Sequence, residues 1–328
     1  MRRIDLAIIG FGNVGQRLVT LLDERSARLA RDYGVTCRVA GTASRRQGAV
    51  FENEACTDAF DVIGRLSCSP APIRIVVETT TLDVKNGEPA TSHVRAAIAA
   101  GCHVVTANKG PVAFAYEGLR EAAERAGVRF LFEGTVMDGV PVFNLAREAL
   151  PALQVLGFEG VVNTTTNHVI TALERGETFA AALSRMQEEG IAEADPSLDV
   201  EGWDAAAKAA ALANVLMDAR ITPHDVQRRG IDEATGGDAR RALANGRRLK
   251  LVASARRDPA GMVSCAVAPR ELPADHLLAG LDGNANALIL ETDLLDRIAI
   301  SQLSSSLTQT AYALLSDVIS IARSPEPV

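Results

Sequence analysis

Of the 34 basic side chains, only four are lysine: Lys85, Lys109, Lys208 and Lys250. Arginine stays protonated, whereas lysine shifts its pKa readily and can hand over a proton, so each lysine in such a chain is a candidate for proton chemistry. Lys208 follows Asp204 by four residues in a helix-forming stretch, which puts both side chains on one face. Lys109 follows an apolar run ending at Ala107 that reads as a strand, and ligands of open α/β sheets bind at the carboxyl ends of strands. Near the start, Gly10, Gly12 and Gly15 form Gly-x-Gly-x-x-Gly between a β-branched run and an amphipathic one. In that context the first glycine permits a tight turn, the second lets backbone approach a pyrophosphate, and the third lets helix and strand pack. The phosphates would sit on the first amides of the helix, at Asn13 and Val14. Plainer readings stand beside these: a surface ion pair for Asp204 and Lys208, a loop cation for Lys109, a ligand-free turn for the glycines.

The same fingerprint normally places an acidic residue on the adenosine ribose about 20 residues later. From Tyr33 to Phe51 the chain has no Asp or Glu, and the second strand runs into Thr42, Ser44, Arg45 and Arg46. A hydroxyl and two guanidinium groups suit a 2′-phosphate, which favours NADP(H) and leaves NAD(H) as the alternative. A solvated basic loop is the competing reading. Thr79, Thr80 and Thr81 end a strand beside the expected nicotinamide, where hydroxyls can contact ribose or phosphate.

Alternating elements position these residues. Strand-like runs start at Leu6 and lie around 38, 76, 105 and 131. Helical periodicity fills 14–31, 90–100 and 114–126, with Gly101 and Gly127 as C-terminal caps. The rhythm predicts an α/β fold, a Rossmann-type doubly wound parallel sheet. After Pro141 it changes: a strand, a polar turn and a helix over 155–172, helices over 178–190, 203–217 and 238–247, and strands over 249–256 and 262–268. This predicts a second, α+β domain for catalysis and dimerisation. The expected division is 1–135 with a returning helix from 304–328, and 136–303.

Three further segments carry a resemblance: Thr106-Ala107-Asn108-Lys109, Glu133-Gly134-Thr135-Val136, and the stretch from Ala192 to Lys208 with its Glu-x5-Asp-x4-Asp-x3-Lys spacing. With the glycine-rich start they resemble homoserine dehydrogenase over nearly the whole chain. The resemblance implies hydride transfer between NAD(P)H and the aldehyde carbon of aspartate 4-semialdehyde. It implies Lys208 and Lys109 as the acid/base and alkoxide-stabilising pair, with Asp204 orienting Lys208. Glu193 and Asp199, with Thr165, would hold the substrate's α-ammonium end. It also implies Ser306 near the cofactor, a monovalent cation such as Na+ at Glu133, Val136, Asp138 and Val140, and a homodimer formed through the second domain's sheet. The length leaves no room for a fused aspartokinase or ACT domain.

The sequence departs from the family in places. A Gly-Ala-Gly loop reads Ser304-Ser305-Ser306, which adds side chains and reduces access to positive φ. A Gly has become Thr164, a Tyr has become His168, and Met137 and Asp138 stand where small residues are usual. These changes leave two alternatives: a related amino-acid alcohol or semialdehyde as substrate, or cofactor binding without turnover. A formal net charge of -7 argues against nucleic acid and anionic membranes as partners. No apolar run is long enough to span a bilayer. Five scattered cysteines and five unpaired histidines suggest reduced thiols, a cytoplasmic location and no transition metal.

Overall fold

The structure, a computed structural model, describes residues 1–192 and 195–323. In chain order the first elements are β1 (Arg2–Ile9), α1 (Asn13–Tyr33), β2 (Val35–Ser44), β3 (Gly48–Phe51), β4 (Glu54–Cys56), α2 (Ala59–Ser67) and β5 (Ile73–Glu78). Then come α3 (Ala90–Ala99), β6 (His103–Thr106), α4 (Lys109–Ala126), β7 (Phe130–Leu131) and the short α5 (Val142–Asn144). The chain continues through β8 (Val155–Val161), α6 (Thr164–Glu174), α7 (Phe179–Glu188), α8 (Ser197–Val200), α9 (Trp203–Met217) and β9 (Gln227–Arg228). It closes with α10 (Thr235–Ala244), β10 (Arg247–Arg257), β11 (Val263–Pro273), β12 (Asn286–Thr292), β13 (Arg297–Gln302) and α11 (Leu307–Arg323).

These elements form two compact units, Met1–Asn144 with the chain from Ser306, and Leu145–Ser305. The first holds a seven-stranded sheet in the order β4-β3-β2-β1-β5-β6-β7. Strands β2, β1, β5, β6 and β7 run parallel, while β3 and β4 fold back antiparallel. Ile4, Leu6 and Ile8 of β1 and Ile73, Ile75 and Val77 of β5 pack with Leu18 and Leu22 of α1 and Leu314 and Val318 of α11. Both strands are buried along nearly their whole length, as expected of a parallel sheet covered on two faces. The turn and hairpin that follow β2, together with α2, have no counterpart in the predicted elements. Helix α4 begins at Lys109 and not at 114. Gly110 and Pro111 read as breakers, but a first turn needs no amide from proline, and Asn108 caps the helix by accepting from the Gly110 N–H at 2.8 Å. The unit runs to Asn144 because Glu133 accepts the amides of Phe143 and Asn144, and Asp317 of α11 accepts the amide of Glu133.

The second unit holds a six-stranded sheet in the order β13-β12-β8-β10-β11-β9, antiparallel except for the β11–β9 pair. Helix α9 packs on β8, β10 and β11. Its alanines, from Ala205 to Ala213, are essentially fully buried, and their small side chains let the helix lie close to the strands. Strands β12 and β13 have no counterpart in the predicted elements; five of the first six residues of β12 are buried, so that segment reads as one apolar run.

Candidate active site

In the first unit, the glycine loop joins β1 to α1. Gly10 has φ +95°, and a Cβ there would lie 2.4 Å from the carbonyl carbon of Thr79 and the nitrogen of Thr80. A Cβ on Gly15 would press on Ile8 at 3.0 Å. Gly12 differs: the nearest atom to a Cβ there is the Gly10 carbonyl at 3.9 Å, and no side chain caps α1. Packing therefore accounts for Gly10 and Gly15, while Gly12 leaves a cradle open at the amides of Asn13 and Val14. That cradle fits a dinucleotide pyrophosphate.

The walls of this crevice are braced. The Thr79 hydroxyl donates to the Gly10 carbonyl at 2.9 Å, and Asn108 Nδ2 donates to the Thr80 carbonyl at 2.9 Å. Lys109, the first residue of α4, is thereby carried at the carboxyl edge of the sheet beside Thr80. At the end of β2, Ser44 Oγ accepts the Gln47 N–H at 3.0 Å and closes the turn, leaving Arg45 and Arg46 exposed.

In the second unit, Asn163, Thr165, Asp199, Asp204 and Lys208 come together. Asn163 ends the turn after β8 and caps α6, its Oδ1 accepting the Thr166 N–H at 2.9 Å. Its Nδ2 donates to Asp199 Oδ1 at 2.6 Å and to Asp204 Oδ2 at 3.0 Å. Lys208 Nζ lies 3.1 Å from Asp204 Oδ2 and donates to the Val162 carbonyl at 2.5 Å. Both side chains of the Asp204–Lys208 pair are only 15% exposed, which sets it apart from an ordinary surface pair. Burial, followed by the neighbouring Asp204 carboxylate, pushes the Asp199 carboxyl above its usual range, while the hydrogen bonds from Asn163 and Thr165 pull it back. An ammonium ion beside Asp199 would offset both the burial and the crowding.

Sequence reasoning did not single out Asn163, although the Asn-x-x-Thr cap spacing right after a strand marks it. Glu193 lies outside the described residues. Thr164 and His168 contact a different side of α6, against Asn286 at 3.3 Å and Asn284 at 2.7 Å. Ser304, Ser305 and Ser306 all keep negative φ, and Ser306 Oγ accepts the Gln309 N–H at the start of α11, so serine is unstrained there. In the loop expected to hold a cation, both Glu133 oxygens accept backbone amides, Asp138 accepts from Thr310 at 3.0 Å, and the Val140 carbonyl accepts the Val142 N–H. Glu133 thus braces this loop through its side chain. Lys85 sits in a turn closed by Asp83, and Lys250 is fully buried.

Comparison with known proteins follows the two units. A family model described as homoserine dehydrogenase matches residues 141–319, and one described as homoserine dehydrogenase, NAD binding domain, matches residues 10–133. The chain is 37% identical to an NAD(+)-dependent homoserine dehydrogenase of Pseudomonas canavaninivorans, over 99% of this chain and 97% of that one. It is 33% identical to a homoserine dehydrogenase of Methanocaldococcus jannaschii, over 98% and 99%. The crystal structure of a homoserine dehydrogenase from Thiobacillus denitrificans superposes with a TM-score of 0.87 at 30% identity, covering 99% of this chain and 77% of that one.

Proposed function

The chain belongs to the homoserine dehydrogenase family, nicotinamide-dependent oxidoreductases acting on a CH–OH group, and from that premise we propose that it passes a hydride between NADP(H) and aspartate 4-semialdehyde to give L-homoserine. The observation that carries this reading is the Asn163-bridged cluster of Asp199, Asp204 and Lys208. The nicotinamide, when bound, supplies or takes the hydride. The residues of this chain do the rest. As negative charge builds on the aldehyde oxygen, the Lys208 ammonium gives it a proton, and Lys109 stabilises the charge from the cofactor side. Asp204 holds Lys208 in place and receives the substrate hydroxyl. Asp199 and Glu193, with Thr165, take the α-ammonium group.

The finer parts of the reading rest on separate residues. Arg45 and Arg46 would take a 2′-phosphate, which favours NADP(H) over NAD(H). The Glu133–Val140 loop would take a monovalent cation through backbone carbonyls. The second unit's sheet would pair with that of a second copy, in a cytoplasmic homodimer.

Purified protein mixed with aspartate 4-semialdehyde and NADPH or NADH tests the reading at the nicotinamide absorbance band. Turnover is expected, with Lys208→Ala losing at least about a hundredfold in kcat. Dinucleotide binding with no turnover on any amino-acid semialdehyde would overturn it. Arg45→Ala is expected to lower the NADPH-over-NADH preference about tenfold. A wild-type preference for NADH, the cofactor class named for the Pseudomonas relative, would sink the 2′-phosphate assignment alone.

A further inference from the structure

Glu78 is the last residue of β5 and the one acid in an otherwise apolar and basic strand. It lies at the centre of the sheet's carboxyl edge, paired with Ile9 of β1 and Thr106 of β6. Its side chain is fully buried. Oε1 accepts the Thr80 N–H at 3.1 Å and the Thr80 hydroxyl, and Oε2 lies 3.3 Å from the Thr106 hydroxyl. The Thr79–Thr80 backbone that it holds is the one that abuts Gly10 of the dinucleotide loop. The only basic group within ion-pair reach among the described residues is His93, whose Nδ1 lies 3.6 Å away without a hydrogen-bond partner.

A buried carboxylate with neither Lys nor Arg beside it is costly, and a neutral glutamine would fill the same space. A carboxyl at this place therefore calls for a reason. The two redox forms of a nicotinamide dinucleotide differ chiefly in one positive charge on the oxidised ring. An ionised Glu78 beneath the crevice would stabilise the charged form and leave the neutral form almost untouched. We propose that Glu78 is a specificity-determining residue that biases this site toward the oxidised dinucleotide. The inference rests on the dinucleotide reading of the crevice given above.

The test is equilibrium binding, by titration calorimetry or intrinsic fluorescence, of NADP+ and NADPH, and of NAD+ and NADH, to the full chain. In Glu78→Gln the ratio of oxidised to reduced Kd is expected to rise about tenfold, the order expected for one poorly screened unit charge. Glu78→Asp keeps the charge and is expected to keep the wild-type ratio even if both affinities weaken. His93→Lys places a fixed cation beside Glu78 and is expected to move the ratio as Glu78→Gln does, which covers the case where the glutamine variant does not fold. Equal weakening of both forms in Glu78→Gln, or in a folded His93→Lys, would overturn the assignment and leave Glu78 a brace for Thr80. Wild-type protein that binds neither form would overturn the dinucleotide reading itself.

Discussion

One side-chain amide, that of Asn163, is shared between Asp199 and Asp204. Both of its N–H donors point at carboxylates while its oxygen caps α6, so its orientation is fixed by three partners. Asn163→Ser retains a good helix cap but loses the bridge. It is expected to lower kcat/KM by about tenfold to a hundredfold through misplacement of the acids. It is also expected to move the acid limb of the kcat/KM profile to higher pH, because Asp199 loses a donor that offsets its burial. A pH profile that keeps its acid limb would show that Asn163 only caps the helix. Asp204 and Lys208 could be paired from their spacing alone. Asn163 could not, because its partners are 36 and 41 residues away.

At the level of elements, polar side chains lock strands into place. His103 opens β6, and its Nδ1 accepts the backbone N–H of Arg129 at 2.9 Å, beside β7. Burial first, then Arg129 and Arg74, push its imidazole down to about 4, so it is neutral in the native state. An unfolded chain protonates the same histidine near pH 6.5. Below that pH the unfolded state binds the extra proton, so stability falls as pH drops from about 6.5 to about 4, by up to about 3 kcal/mol. His103→Asn keeps an acceptor without titrating. Urea midpoints at pH 7 and pH 5 are expected to differ less in this variant than in the wild type; an unchanged difference would exclude His103 as the source. Lys250 plays a comparable part in the second unit, donating to Asn167 Oδ1 at 2.9 Å and to the Leu281 carbonyl, which ties β10 to α6 and to the loop before β12. A buried lysine is legible as unusual only once its burial is known. The strand that carries it alternates too little to show which face points inward.

At the scale of the whole molecule, one face of the second unit's sheet carries a charged cluster. Glu159 on β8 gathers Arg270, His276 and Arg297 at 3.2, 3.1 and 2.7 Å, and Ser254 and Ala266 lie on the same face. This face is the surface proposed for pairing with a second copy. Ala266 is half-exposed in the single chain, so Ala266→Arg is expected to leave folding intact while shifting the protein from dimer to monomer in sedimentation velocity. An unchanged dimer would place the interface elsewhere.

The sequence by itself carried the family, through the glycine spacing and the lysine and carboxylate spacing that resemble homoserine dehydrogenases. It also determined the first half, because short apolar runs of doubly covered parallel strands there take turns with helices of period 3.6 closed by glycine caps. Only the tertiary structure decided which polar groups are buried and what they face. Glu78 and Asn163 took on meaning once long-range pairing set Glu78 between Ile9 and Thr106 and set Asn163 against Asp199 and Asp204. Burial and hydrogen-bond partners depend on residues far apart in the chain, and no local period records them.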